Sequence, residues 1–87
     1  MNPGRYTAIN ITATTSLKTI KGLVHGMYVN STTAGTIKLW DSLSAAGTVL
    51  NNTITPAIGW HNLGDAQFSI GLFATIGGTI DVTFYID

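Results

Sequence analysis

The sequence predicts an all-β protein: a single antiparallel β-sandwich, jelly-roll or Ig-like, of about seven to eight short strands with an extended N-terminal arm. Three observations carry this expectation. Thr, Ile and Val are abundant, Glu is absent, and Gln, Lys and Arg are scarce, a balance that disfavours helix and suits a pleated surface. Period-two alternation of apolar and polar residues recurs along the chain, and no window carries a helical stripe. Glycine-containing turn signals punctuate the alternation at short intervals.

Taken in order, residues 1–6 form the arm, because Pro3 and Gly4 disfavour regular structure, and residues 7–87 form the sandwich. Over 6–13, Ile9, Ile11 and Ala13 share one face while Asn10 and Thr12 share the other. Over 22–30, Leu23, His25, Met27 and Val29 alternate with Val24, Gly26, Tyr28 and Asn30. Residues 30–35 read as a hairpin loop, after which Thr36, Lys38 and Trp40 oppose Ile37 and Leu39. Residues 41–47 form the next loop, with room for one turn of helix over 42–46. Pro56 ends the strand at 53–55, since proline cannot donate to a ladder. Residues 62–65 read as a polar turn containing Gly64. Over 66–76, Phe68, Ile70, Leu72, Ala74 and Ile76 share a face, and Gly77-Gly78 reads as a tight hairpin. The last strand alternates most cleanly: Ile80, Val82, Phe84 and Ile86 against Thr79, Asp81, Thr83, Tyr85 and Asp87. It is expected at the centre of the core. One signature recurs, in Ala34-Gly35-Thr36, Ala46-Gly47-Thr48 and Gly77-Gly78-Thr79. Its uneven spacing reads as repeated turn chemistry, not as a solenoid repeat.

At 87 residues the chain has room for one core. Four basic and four acidic residues leave no net charge, so a nucleic-acid partner is not expected. No apolar run reaches the roughly 18 residues of a membrane span, and the first residues lack the apolar core of a signal peptide. Without cysteine there is no disulfide framework and no cysteine-based zinc site. The charged fraction is 9%, against about 25% in ordinary soluble domains. A neutral Thr/Asn/Gly surface lacks the charge repulsion that keeps small proteins monomeric, so the chain reads as part of an assembly.

Catalysis needs positioned titratable groups, and these are few and scattered, so no enzyme activity and no cofactor or metal are expected. His25 sits beside Leu23 and Met27 and reads as a core or interface histidine. His61 and Asp65 flank the polar turn and could share a metal or a proton, but zinc wants about four ligands. Asp41 reads as an acceptor of backbone hydrogen bonds in its turn. The interface candidates are Arg5 and Tyr6 on the arm, together with Tyr28, Trp40, Trp60 and His61. An exposed tryptophan on a sheet can anchor a protein or stack a sugar.

The stretch Val29-Asn30-Ser31-Thr32-Thr33-Ala34-Gly35-Thr36-Ile37-Lys38-Leu39-Trp40-Asp41 resembles a segment recurrent in small phage and prophage structural proteins. Ala46-Gly47-Thr48-Val49, Asn52-Thr53-Ile54-Thr55-Pro56, Phe68-Ser69-Ile70-Gly71-Leu72-Phe73 and Gly77-Gly78-Thr79-Ile80-Asp81-Val82-Thr83 fit the same pattern, so the likeness covers residues 20–87. It implies a capsid decoration (cement) protein of a tailed bacteriophage, on the outer surface of the virion after synthesis in the host cytoplasm. Its implied partners are the major capsid protein and further copies of itself, with a trimer as the natural state. The alternative is a carbohydrate- or receptor-binding β-domain of a head or tail fibre, with a glycan as ligand. The resemblance carries no catalytic residues.

Overall fold

The structure, a computed structural model, describes residues 6–87. Of the expected arm only Tyr6 falls within them; residues 1–5 lie outside. The described chain is all-β and forms one antiparallel sheet of six strands: β1 (Thr7–Ile11), β2 (Thr15–Lys18), β3 (Gly22–Asp41), β4 (Thr48–Ile54), β5 (Gly59–Phe68) and β6 (Leu72–Ile86). The expectation of seven to eight short strands is corrected, because two strands are long. β3 and β6 pair along almost their whole length, from Val24 opposite Ile86 to Asp41 opposite Leu72. The short strands flank this pair. β1 lies on the C-terminal half of β6 and β5 on the N-terminal half of β3. β2 lies on the start of β6 and β4 on the end of β3.

A straight strand of 20 residues would run about 65 Å. The longest dimension of the molecule is 32 Å, so β3 bends sharply, and β6 bends with it. The bend falls where the register shifts between Thr33 and Ala34, opposite Thr79. Ala34 and Gly78 both take positive φ there, 54° and 66°. A Cβ on Gly78 would sit 2.7 Å from the Ala34 carbonyl oxygen, so the two backbones meet at a distance that only glycine permits. Residues 30–35 and Gly77-Gly78 are therefore not hairpin loops but the two sides of one corner. The repeated signature is explained the same way. Its first and third copies face each other, with Thr36 opposite Gly77, and only in the second copy does the glycine lie in a loop, where Ala46-Gly47 precedes Thr48 at the start of β4.

The concave side of the bent sheet holds one core. It joins Ile37, Leu39, Leu72 and Ala74 from one side of the corner to Val24, Met27, Val29, Ile80, Val82, Phe84 and Ile86 from the other. The last strand is central as expected, its four apolar residues being buried between β1 and β3. Two parity assignments need correction. At 22–30 a bulge shifts the register between Val24 and Gly26, so Val24, Met27 and Val29 point inward and His25 points out. At 66–76 the chain turns between β5 and β6, leaving Ile70 exposed. Asp41 caps that turn by accepting hydrogen bonds from the Ser69 and Ile70 N–H groups at 2.9–3.0 Å.

Candidate functional site

Where the bulge turns His25 outward, β5 makes a larger bulge opposite it. Three residues, Leu63, Gly64 and Asp65, stand between the pairs Gly26–Asn62 and Val24–Ala66. Asn62 initiates the excursion, its Oδ1 accepting the Gly64 N–H at 2.8 Å in an Asx turn. Asp65 follows with φ 54°, a left-handed conformation that aspartate tolerates. The excursion brings its carboxylate to His25, whose Nδ1 donates to Oδ1 at 2.6 Å. The Tyr6 hydroxyl donates to the same oxygen at 3.2 Å, and its ring stacks on the imidazole with centroids 4.3 Å apart. The polar turn expected over 62–65 is thus a bulge within a strand, and Asp65 partners His25 rather than His61. No group of three metal-ligating side chains occurs among the described residues.

The aromatic run continues from His25 to Trp60 and on to Tyr85, with centroid separations of 5.5 and 5.6 Å. Trp60 lies over Gly26, where any Cβ would collide with the six-membered ring of the indole. It is therefore wedged in place yet 46% exposed. Tyr28 is its direct cross-strand partner and is 43% exposed on the same face. Across the sheet Tyr28 also opposes Thr83, and Thr83 opposes Asn10. Trp60, Tyr28, Thr83 and Asn10 form one row over four adjacent strands, about 14 Å long at ordinary strand spacing. Beside the polar half of this row lies Asp81. Its Oδ1 accepts from Asn10 Nδ2 at 2.6 Å and from Asn30 Nδ2 at 3.1 Å, and both amides also reach Thr83 Oγ1. The donated amides, that of Asn10 first, hold the Asp81 carboxyl below the ordinary carboxylate value.

Of the expected interface residues, Tyr6, Tyr28 and Trp60 come together on this convex face. Arg5 lies outside the described residues. Trp40 lies apart, on the other side of the corner. It is half-buried, donates from Nε1 to Thr75 Oγ1 at 3.0 Å and carries Lys38 Nζ 4.4 Å over its ring. His61 is half-buried on β5, its Nε2 2.8 Å from the Ala57 carbonyl oxygen. Sequence reasoning missed His25 as a surface residue, and also Tyr85, Asn10, Asn30 and Asp81. Alternation places Tyr85, Thr83 and Asp81 on the outer face of one strand, but their neighbours on β1 and β3 depend on register.

A second surface lies at the end of the sheet where three loops meet. The pairs Lys18–Leu72 and Gly22–Phe68 set the 19–21 loop beside the 69–71 turn. The 42–47 loop joins them through Ser42 N–H to the Gly71 carbonyl at 3.2 Å. Each loop presents one large aliphatic side chain to solvent: Ile20 (64% exposed), Leu43 (53%) and Ile70 (55%). An open cleft of about 490 Å³ between Lys18, Lys21, Leu23, Gln67 and Phe68 adjoins them.

Comparison with protein-family models, with curated proteins and with solved structures finds no match to this chain.

Proposed function

We propose that the protein is a non-enzymatic structural component of a virion, a decoration protein that binds the major capsid protein on the outer head surface of a tailed phage and stabilises the shell. The observation that carries this reading is the three-loop end, where each of three neighbouring loops exposes one large aliphatic side chain, Ile20, Leu43 or Ile70. A lone domain gains nothing from three solvated aliphatic tips on adjacent loops, whereas a docking protein buries them at its partner. Zero net charge favours the same reading, because copies can pack on a repeating lattice without mutual repulsion. In this reading the bent sheet acts as a sandwich, its halves facing each other across one core. The copies associate as trimers, matching three-fold lattice positions, and residues 1–6 add contacts as a docking arm.

The test is cosedimentation of the purified protein with undecorated capsids of a tailed phage that encodes it. Saturable, stoichiometric binding is expected, with heads more resistant to heat. The double variant Ile20→Asp/Ile70→Asp should stay folded and lose binding by more than about tenfold. No binding by the wild type, or equal binding by the variant, overturns the proposal.

A further inference from the structure

We propose that the convex face of β5, β3, β6 and β1 is a binding site for a neutral hexopyranose, which stacks on Trp60 and Tyr28 and is held by the Asp81–Asn30–Asn10 cluster. This site is separate from the three-loop end, so the inference does not rest on capsid docking.

A pyranose ring is amphipathic in a defined way. One face presents C–H groups and its rim presents hydroxyls that both donate and accept. A complementary protein surface needs an exposed aromatic ring that does not move, with neutral or anionic hydrogen-bonding groups alongside. Trp60 meets the first requirement. The bare backbone at Gly26 leaves room for the six-membered ring of the indole, and the His25 and Tyr85 rings pack against it with centroids 5.5 and 5.6 Å away. Little side-chain freedom is then left to lose on binding. Tyr28, directly across the strand pair, extends the aromatic surface. The second requirement is met two residues along β3, where Asn30 shares the face with Tyr28. Asn10 and Asn30 hold Asp81 through Oδ1, while Oδ2 takes no hydrogen bond among the described residues. A fixed carboxylate oxygen, kept ionised by the two amides, is a strong acceptor for a sugar hydroxyl.

Charge narrows the ligand class. Among the described residues the carboxylates beside the row are Asp65 and Asp81, while Lys18, Lys21 and Asp87 line the cleft at the three-loop end. A sulfated, phosphorylated or uronic-acid sugar would meet like charge, whereas a neutral pyranose would not. A protein partner is disfavoured by the same geometry. The polar half of the Trp60–Tyr28–Thr83–Asn10 row carries the ionised Asp81 beside it, whereas the centre of a protein interface is depleted of charged residues.

The experiment is an NMR titration of the full chain with cellobiose, lactose and N,N′-diacetylchitobiose, and with glucuronate as the anionic arm. At least one neutral disaccharide should shift the Trp60 indole N–H and the Tyr28 and Thr83 amides saturably, with Kd of about 1 mM or tighter. The Trp40 indole should stay unmoved. Trp60→Ala should weaken binding at least about tenfold and Asp81→Asn by several-fold, with the β6 amide spectrum intact. If Trp60→Ala fails to fold, Tyr28→Ala serves in its place. No saturable shift with any neutral sugar, a response to glucuronate alone, or unchanged affinity in the Trp60 and Tyr28 variants overturns the site. So does loss of capsid binding by folded Trp60→Ala without any sugar response, which would assign the face to a protein contact.

Discussion

Asp41 ties two loops together through a carboxylate that accepts the Ser69 and Ile70 N–H groups, and those donors, Ser69 first, hold its carboxyl below the ordinary value. A carboxyl that is more acidic in the folded state stabilises the fold above its unfolded value of about 4 and loses that contribution as pH falls through the folded value. Asp41→Asn should therefore lower Tm at pH 7 by on the order of 5 °C, and the difference from wild type should shrink as pH falls below the ordinary carboxylate range and through the lowered folded-state value. Calorimetry across that range checks it; a constant difference at every pH would remove the charge from the argument. Gly26 acts through space instead. Gly26→Ala places a methyl group against the Trp60 indole and 2.8 Å from the His61 carbonyl oxygen. It should cost about 1–3 kcal/mol and shift the tryptophan emission to the red as the indole lifts. Unchanged emission would mean that the indole does not rest there.

At the scale of elements, the alternation in β6 and its place in the core were legible in the sequence, because both sides of that strand keep one parity from Ile80 to Ile86. Phe84, fully buried between β1 and β3, should cost about 3–5 kcal/mol on truncation to alanine, a large share of the total for a chain of this size. Urea denaturation measures it, and a wild-type midpoint would contradict the assignment. The corner was not legible. A Gly-Gly-Thr or Ala-Gly-Thr triplet supplies positive φ equally to a hairpin and to a bent strand, and only the partner strand distinguishes them. Here each triplet's partner is the other triplet, 43 residues away along the chain. Gly78→Ala should therefore destabilise by about 1–3 kcal/mol, since the methyl group adds a clash with the Ala34 carbonyl to the strain of a positive φ. A variant as stable as wild type would show that the corner relaxes.

For the whole molecule, a neutral, apolar-rich chain exposes two surfaces that differ in how they are built. The convex aromatic face was half legible: Trp60, Tyr28 and Tyr6 stand out by residue type, but His25 reaches the face only because a bulge reverses its parity. Asn10, Asn30 and Asp81 meet only through long-range pairing. On that face the Tyr6, His25, Trp60 and Tyr85 rings pack on one another, and Tyr6 and His25 are also held by the Asp65 carboxylate. The three-loop end has no such bracing, and Ile20, Leu43 and Ile70 simply face water. Apolar surface in water drives association in proportion to its area, and with no net charge nothing long-ranged opposes it. The protein should therefore self-associate reversibly, with Tm rising with protein concentration, since assembly stabilises only the folded state. The association should be insensitive to salt between about 0.05 and 0.5 M, because screening weakens charge pairs and leaves apolar contacts intact. Ile20→Asp/Ile70→Asp should abolish the concentration dependence and leave the Tm of the dilute protein nearly unchanged, because both side chains are solvated in the monomer. Sedimentation equilibrium paired with calorimetry reads both quantities. Association that weakens steeply with salt would point to charge pairing, and association unchanged in the double variant would move the contact away from the loop end.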